Sequence, residues 1–410
     1  MKRFLILLIC AGALSTACDR DRYDEKSPVD AALYLDAAAD RCDIQVFFKR
    51  EVENRQTSLA ATLSGPVDHP VTAVLHTDAA DVERYNARFG TQFTMLDPSH
   101  YELSARSLAV PAGNVSSEPV TVDFKALTEL PADETFLLPV RVTSDDIALL
   151  DASSTIWYLV KQTSAITTVA DLTDNWISFP TLDQAGPQSD LFNGLKAVTY
   201  EIIVRVSAFN QAVDISSVMG VEQYLLLRFG DSGFPRQQLQ VQAGSNKFPD
   251  ADDVLSLEPG EWYHLALTYD ILSGQMQIFV NGELQSAGTV KWSGDEINLA
   301  MRALYDADPT GNASLGDAYQ FFIGRSYDDN RPLQGEVAEA RVWSVVRTQQ
   351  EIWDHMYDVD PTSEGLLGYW KFDQAGDGSI VRDVTGHGND GVAVNPLKWN
   401  TSVEVPQLNK

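Results

Sequence analysis

Cysteine is scarce. The 410-residue chain holds three, Cys10, Cys18 and Cys42. Cys10 lies inside an apolar leader and Cys18 at its end, so Cys42 is left alone in the folded part. That excludes an intramolecular disulfide and leaves core burial to hold the fold together. Basic residues are few as well. Lys and Arg total 30 against 58 Asp and Glu, a formal net charge of −28. So acidic a chain repels phosphate backbones, which argues against nucleic acid as a partner and leaves neutral ligands or bound calcium compatible. In the first 162 residues no nucleophile–base set is found, and His69, His76 and His100 are scattered. An apolar content of 44% with 21% charged residues is ordinary for a globular protein and excludes wholesale disorder.

The N-terminus carries an address. Lys2 and Arg3 form a basic start, and Phe4 to Ala13 is an apolar run too short to span a bilayer. Leu14, Ser15, Thr16, Ala17 and Cys18 follow, small residues and then a cysteine, which resembles a bacterial lipobox. The expectation is a signal peptide over 1–17, lipidation of Cys18 and a polar tether over 18–30. A plain secretory signal, with Cys18 incidental, is the alternative reading.

The sharpest fold signal is Gly260 to Gln285. Trp262 to Tyr269 and Gln275 to Val280 are rich in aromatic and β-branched residues, with Met276, Ile278 and Val280 alternating against Gln275 and Gln277. Asn281 and Gly282 supply the positive φ angles of a type I′ hairpin. This is a β-meander. Before it, 31–162 holds short punctuated strands and one helix, Asp81 to Phe89, capped by Asp78 and ended by Gly90. A Thr-, Ser- and Ala-rich connection covers 163–174, and 175–410 continues the strand series, with a capping box at Thr348 and Glu351 before a short helix. The prediction is all-β: two β-sandwiches with few short helices.

Two resemblances sharpen this. Tyr85 and Asn86, Tyr101 to Leu103, Val110 to Gly113 and Leu138 to Val140 resemble, in order, the lipoprotein N-terminal family called domain of unknown function 1735. That resemblance implies an immunoglobulin-like sandwich serving as spacer or platform ahead of a glycan-binding or glycosidase domain. Thr199 to Val204, Gly260 to Leu265, Ile278 to Gly282, Phe322 to Gly324, Leu333 to Trp343, Gly365 to Trp370 and Asp383 to Gly391 resemble the laminin G-like, pentraxin-like, concanavalin A-type jelly roll. Many relatives carry an Asp where Ala338 stands. By this resemblance Trp262, Trp343 and Trp370, on strand motifs, belong to the core.

The function classes are then weighed on residues. The Glu-x-Asp-x-x-Glu pattern of jelly-roll glucanases is absent, and Glu336 and Glu339, three apart on a strand, are expected on opposite faces. A hydrolase would need a carboxylate pair from loops. Lectin chemistry needs an aromatic face for sugar C–H groups and planar polar groups for the hydroxyls. Trp292, Tyr305, Tyr319, Arg325, Tyr327 and Asn330 gather in the longest loop-like stretch, Lys291 to Arg331, and are the ligand-binding candidates. Within it Asp306, Asp308, Thr310, Asn312 and Asp317 have the spacing of a calcium loop, with Asp328 as an added ligand. A solvated acidic loop explains the same residues. The expected function is non-catalytic glycan capture by a lipoprotein of the Gram-negative outer membrane, with calcium as an optional cofactor and glycan-uptake proteins as neighbours. A loop-based glycoside hydrolase and a protein-binding adhesin are the alternatives.

Overall fold

The computed structural model describes residues 31–39, 41–48, 52–131, 134–163, 166–311, 319–326, 330–374 and 378–405. It is all-β, as the punctuated strand pattern requires, and its strands form two sandwiches. In the first, one sheet runs in the order Asp43–Phe48, Thr155–Gln162, Thr135–Thr143, Val71–His76, Ser107–Val110, with the first pair parallel. Facing it are Arg55–Leu59, Val120–Phe124 and Tyr101–Leu103. Alternate residues such as Leu138, Val140, Val122, Phe124 and Tyr158 fill the space between. The helix Ala79–Phe89 begins where the Asp78 side chain accepts from Ala80 N and ends at Gly90, whose φ of 69° no side-chain-bearing residue adopts cheaply.

The second sandwich also has two sheets. One runs Glu283–Thr289, Gln275–Val280, Trp262–Asp270, Ala197–Ala208, Gln334–Trp343, Val169–Asp171, Lys398–Asn400. The other includes Asn246–Phe248, Phe234–Ala243, Leu225–Asp231, Ser216–Val221, Phe321–Ile323, Ile177–Ser178 and Gly391–Ala393. Tyr200, Ile202, Val204 and Val206 face the core, with Leu227, Phe229, Leu239 and Val241 opposite them. The stretch expected as a connection is part of this body: Val169–Asp171 pairs with strands on both sides, and Val169 and Ala170 are fully buried.

The outward face of the first of these sheets is not apolar. Glu201 lies there, 1% exposed, and accepts from His264 Nε2 (3.0 Å), Arg341 Nη1 (3.1 Å) and Arg347 Nη1 (3.1 Å). Burial pushes its carboxyl up, but these partners outweigh burial and hold it at about 2. Burial pushes His264 below its ordinary value, so the imidazole is neutral and its Nε2–H donates to the carboxylate. The two arginines also reach upward. Arg341 donates to His355 O and Met356 O, and Arg347 to Glu351 O, so they satisfy carbonyls at the end of helix Gln349–Asp354. The capping box holds the other end: the Thr348 side chain accepts from Glu351 N, and the Glu351 side chain from Thr348 N.

The helix in turn docks the first sandwich. Trp353, Met356 and Tyr357 join Phe47, Val82, Tyr85, Phe93, Leu137 and Leu159 in one apolar cluster with Ile203 and Ala338. Lys161, 3% exposed, donates to Trp353 O (2.8 Å) and Asp354 O. The Asn281–Gly282 turn lies beneath the same helix. A Cβ at Gly282 would come within 2.5 Å of Trp353 and 2.8 Å of Met356, so glycine is required by contact as well as by its φ of 77°.

Glu201→Ala should therefore leave the buried Arg347 guanidinium without a carboxylate and Arg341 with Glu339 alone, with a loss of about 3–5 kcal/mol in urea unfolding. A loss below about 1 kcal/mol would mean that water solvates the cluster. Burial holds the Lys161 amine at about 8, below its ordinary 10.5. Between those values the unfolded chain keeps a proton that the folded chain has released, so this group makes stability rise with pH across that window. In unfolding curves at about pH 7 and about pH 10, Lys161→Met should lack that rise; an identical pH dependence in both proteins would show the amine is not desolvated.

Candidate functional site

Helix Gln349–Asp354 and the first sandwich cover the outward face just described. The opposite sheet leaves its outward face to the remaining surface. Alternation assigns the residues: Leu225, Leu227 and Phe229 point to the core, and Leu226 and Arg228 point out. On neighbouring strands Gln238, Gln240, Gln242, Ser217, Phe322 and Ser178 share that outward side. Arg228 organises the centre. Its Nε donates to Gln240 Oε1 (2.9 Å), Nη1 to Gln242 Oε1 (3.3 Å) and Nη2 to Asp231, which Lys247 also contacts. Farther along, Arg331 donates to Glu222 (2.8 Å). The result is a row of planar amide and guanidinium groups fixed by mutual bonds.

The middle of this face is buried and its two rims reach solvent. Gln238 and Gln240 are 0% exposed, and Gln238 is locked by bonds with Asp250 O and Asp252 N. On one rim Arg325 stacks on Trp176 (4.9 Å) and Phe322 (5.0 Å), with Ser178 nearby on the sheet; on the other stand Gln242 and Lys247. Among the described residues, Ser217 Oγ, Gln240 Nε2, Glu222 Oε2 and Ser326 Oγ are buried with no hydrogen-bond partner. Most buried polar atoms are paired, so such a group on one face marks hydrogen-bonding capacity kept for something else.

Burial raises the Asp231 carboxyl, but the Lys247 bond and Arg228 charge outweigh it and hold it below its ordinary value, the reverse of what a general acid needs. On the other sheet a bulge places Glu336 and Glu339: it sets Val337 and Glu339 opposite consecutive residues Val204 and Ile203, with Ala338 as the extra residue. Glu336 and Glu339 therefore share the outward face instead of opposing faces, and each is engaged. Glu336 takes Arg205 and Asn400, while Glu339 takes Arg341 and the Tyr369 hydroxyl. Ala338 packs in the cluster under the first sandwich, where a carboxylate would be desolvated.

The residues singled out in Lys291 to Arg331 do not converge. Trp292 is core: it is 9% exposed, packs against Tyr224 and Tyr269, and donates to Glu296 O. Tyr305 is on a helix, Met301–Ala307, in what reads as loop, and lies against Arg302. Met301 and Ala303 are buried at the start of that helix. Tyr319 packs on the core edge. Arg325 is on the polar face, and Asn330 accepts from Asn210 Nδ2 through its backbone (2.6 Å). Leu195 and Ile297, beside Trp292, bridge just before strand Ala197–Ala208, and Asn210 follows its end. That strand alone rises about 40 Å, so Trp292 and Asn330 are at opposite ends. Tyr327 lies outside the described residues.

The calcium spacing divides in the same way. Asp306 is helical and accepts from Ala185 N (3.3 Å), Asp308 accepts from Gly311 N (2.9 Å), and Thr310 is exposed. Asn312, Asp317 and Asp328 lie outside the described residues, as does Cys18. Among the described residues no three acidic, histidine or cysteine side chains are placed to hold a metal. The turn before Gly391 serves the scaffold: Asp383 accepts from Asn389 N and Thr385, and Asn389 O takes the Trp370 indole N–H. Trp343 and Trp370 are core as expected, whereas Trp262 is half-buried beneath Arg205 at the inter-sandwich cluster. The residues passed over in the sequence are Trp176, Arg228, Gln240 and Gln242. Their one signal was polar alternation in Gln238, Gln240 and Gln242, which a solvated strand would also give.

A family model for an N-terminal domain matches residues 28–149. None of the curated proteins matches the chain. Among solved structures, a candidate carbohydrate-binding protein of Bacteroides ovatus is 27% identical, covering 91% of this chain and 99% of its own, with a TM-score of 0.48. The SAP-like pentraxin of Limulus polyphemus is 13% identical over 56% of this chain and 96% of its own, with a TM-score of 0.34. EndoBT-3987 of Bacteroides thetaiotamicron, with Man5GlcNAc product, is 18% identical over 52% of this chain and 46% of its own, with a TM-score of 0.29. Residues 173–303 match the model of the concanavalin A-like lectin/glucanases superfamily, and the second sandwich is a concanavalin A-like domain.

Proposed function

We propose that the chain binds a neutral glycan on the outward face of the Leu225–Asp231 sheet, without catalysis, as a lipoprotein anchored through Cys18 at the Gram-negative outer membrane. The observation that carries this is the row Arg228–Gln240–Gln242, planar groups held rigid by one another, with Gln240 Nε2 and Ser217 Oγ unpartnered and Trp176 and Phe322 at the side. Sugars need this combination: amides and guanidinium groups for paired hydroxyls, and a ring for the C–H face. At the centre of the face Arg228 is matched by Asp231 and Arg331 by Glu222, which suits an uncharged ligand there. Rigid donors also lower the ordering cost of binding. The non-catalytic reading is supported by the lowered pKa of Asp231, which keeps it a carboxylate, and by the engagement of Glu336 and Glu339. The apolar leader and the small residues before Cys18 support the anchor, and outer-membrane glycan-uptake proteins are the proposed company.

A screen of neutral polysaccharides and a glycan array with residues 19–410 should yield binding, with no oligosaccharide released on incubation. Trp176→Ala and Gln242→Ala, both on the solvent-reaching rims, should each weaken it about tenfold by calorimetry while leaving unfolding unchanged. Normal binding by both would move the site elsewhere; released product would make the chain a hydrolase, and capture of protein alone an adhesin. EDTA that abolishes binding would bring calcium and the Asp306 to Asp328 stretch into the site. For the anchor, Cys18→Ser should shift the protein from the membrane fraction to the soluble one and end palmitate labelling; unchanged membrane association would sink the lipobox reading.

A further inference from the structure

We infer a second carbohydrate subsite in the mouth of the second sandwich, at the end away from Met301–Ala307. A cleft of about 880 Å³ opens there, lined among others by Asn210, Gln211, Arg236, Gln237 and Gln334. It shares Ser207 with a neighbouring hollow of about 360 Å³, beside Gly335 and the Arg205–Glu336 ion pair. The larger volume suits a small ligand such as one or two sugar rings. Strand ends build it: the close of Ala197–Ala208, the opening of Phe234–Ala243 and the opening of Gln334–Trp343 all arrive at this edge.

The lining chooses the chemistry. Arg236 is neutralised, donating to Asp214 (2.5 Å) and to Gln211 Oε1 (2.9 Å). Gln237 and Gln334 are half-buried, and among the described residues their carboxamides bond to nothing, although their backbone carbonyls are engaged by Leu257 N and Ser207 Oγ. Each offers one acceptor and two donors to the cleft, the complement of vicinal hydroxyls. Pro235 and Pro259 line the same space, and Val254, next to the lining Asp253, is 87% exposed, so apolar surface stands beside the amides. A cleft with free amides, apolar edges and a paired cation takes an uncharged polyhydroxylated ligand; a sulfated or phosphorylated one would meet Asp253 and a chain of net charge −28.

Position links it to the first site. Asn210 Nδ2 donates to Asn330 O at the rim of the cleft, and the next residue, Arg331, accepts from Ser217 N and reaches Glu222 on the polar face. Asn330 and Arg331 therefore separate the two surfaces, and a glycan that crosses them occupies both. The subsite rests on the reading of the polar face as a glycan site, and it extends that reading to chain length: longer oligosaccharides gain contacts that short ones lack.

The test is titration of the whole mature chain with disaccharides and longer oligosaccharides derived from starch, mannan and xylan, following the side-chain amide signals by NMR. Signals of Gln237 and Gln334 should move with a longer oligosaccharide that also moves those of Gln240 and Gln242. The Gln237→Ala, Gln334→Ala double variant should weaken that longer ligand about tenfold and leave the disaccharide unchanged. If Gln240 and Gln242 respond while Gln237 and Gln334 stay fixed, the subsite is wrong and the polar face stands. If no amide responds to any of the three series, both fall. An equal loss for short and long ligands in the double variant would overturn the chain-length claim.

Discussion

Glu201 is the carboxylate around which the molecule is assembled. Burying a charge is costly unless partners surround it, and here two arginines and a histidine do so from two further strands and the segment after one of them. The same arginines then have donors left over, and they direct these to the end carbonyls of the helix Gln349–Asp354. A helix of six residues has little stability of its own. Fixed by a capping box at its start and by guanidinium groups at its end, it presents Trp353, with Met356 and Tyr357 just beyond it, to the first sandwich. One buried ion cluster thus positions the helix, and the helix positions a domain.

That order of dependence bears on function. A sandwich has two outward faces, and the helix and the first sandwich take one of them. Ala338 fits this arrangement: a bulge residue facing the inter-sandwich cluster has to be small and apolar. The proposed binding surfaces are the other face and the ends of the strands. The polar row on that face is built in the same manner as the Glu201 cluster, with arginine bonded to acid and amide, but it keeps unpartnered atoms and reaches solvent at its rims. Both clusters are buried at the centre; the second differs in its unpartnered atoms and its solvent-reaching rims, and the proposed site rests on that difference.

Much of the fold was legible. The Asn281–Gly282 turn, the alternation of Tyr200, Ile202, Val204 and Val206, the Asp78 and Gly90 caps and the Thr348–Glu351 box are local signals, because turn geometry, strand period and capping act within a few residues. The helix at Met301–Ala307 was missed because its seven residues give little periodicity. Glu336 and Glu339 were misassigned because the two-residue period holds only until a bulge inserts a residue. Trp292 reads as a ligand platform in the sequence because aromatic residues near an irregular loop look alike whether they point out or in.

By itself the sequence determined the strands, their inner faces and the turns between them, since each depends on a residue and its near neighbours. Alternation also leaves such strands a polar side, Glu201 on one and Gln238, Gln240 and Gln242 on another, without saying what that side does. Only the tertiary structure decided which of those polar faces is covered, because coverage depends on a helix more than a hundred residues from Glu201 in sequence and on a separate domain. Alternation gives a strand two sides; what packs against each side is a long-range fact, and no local pattern carries it.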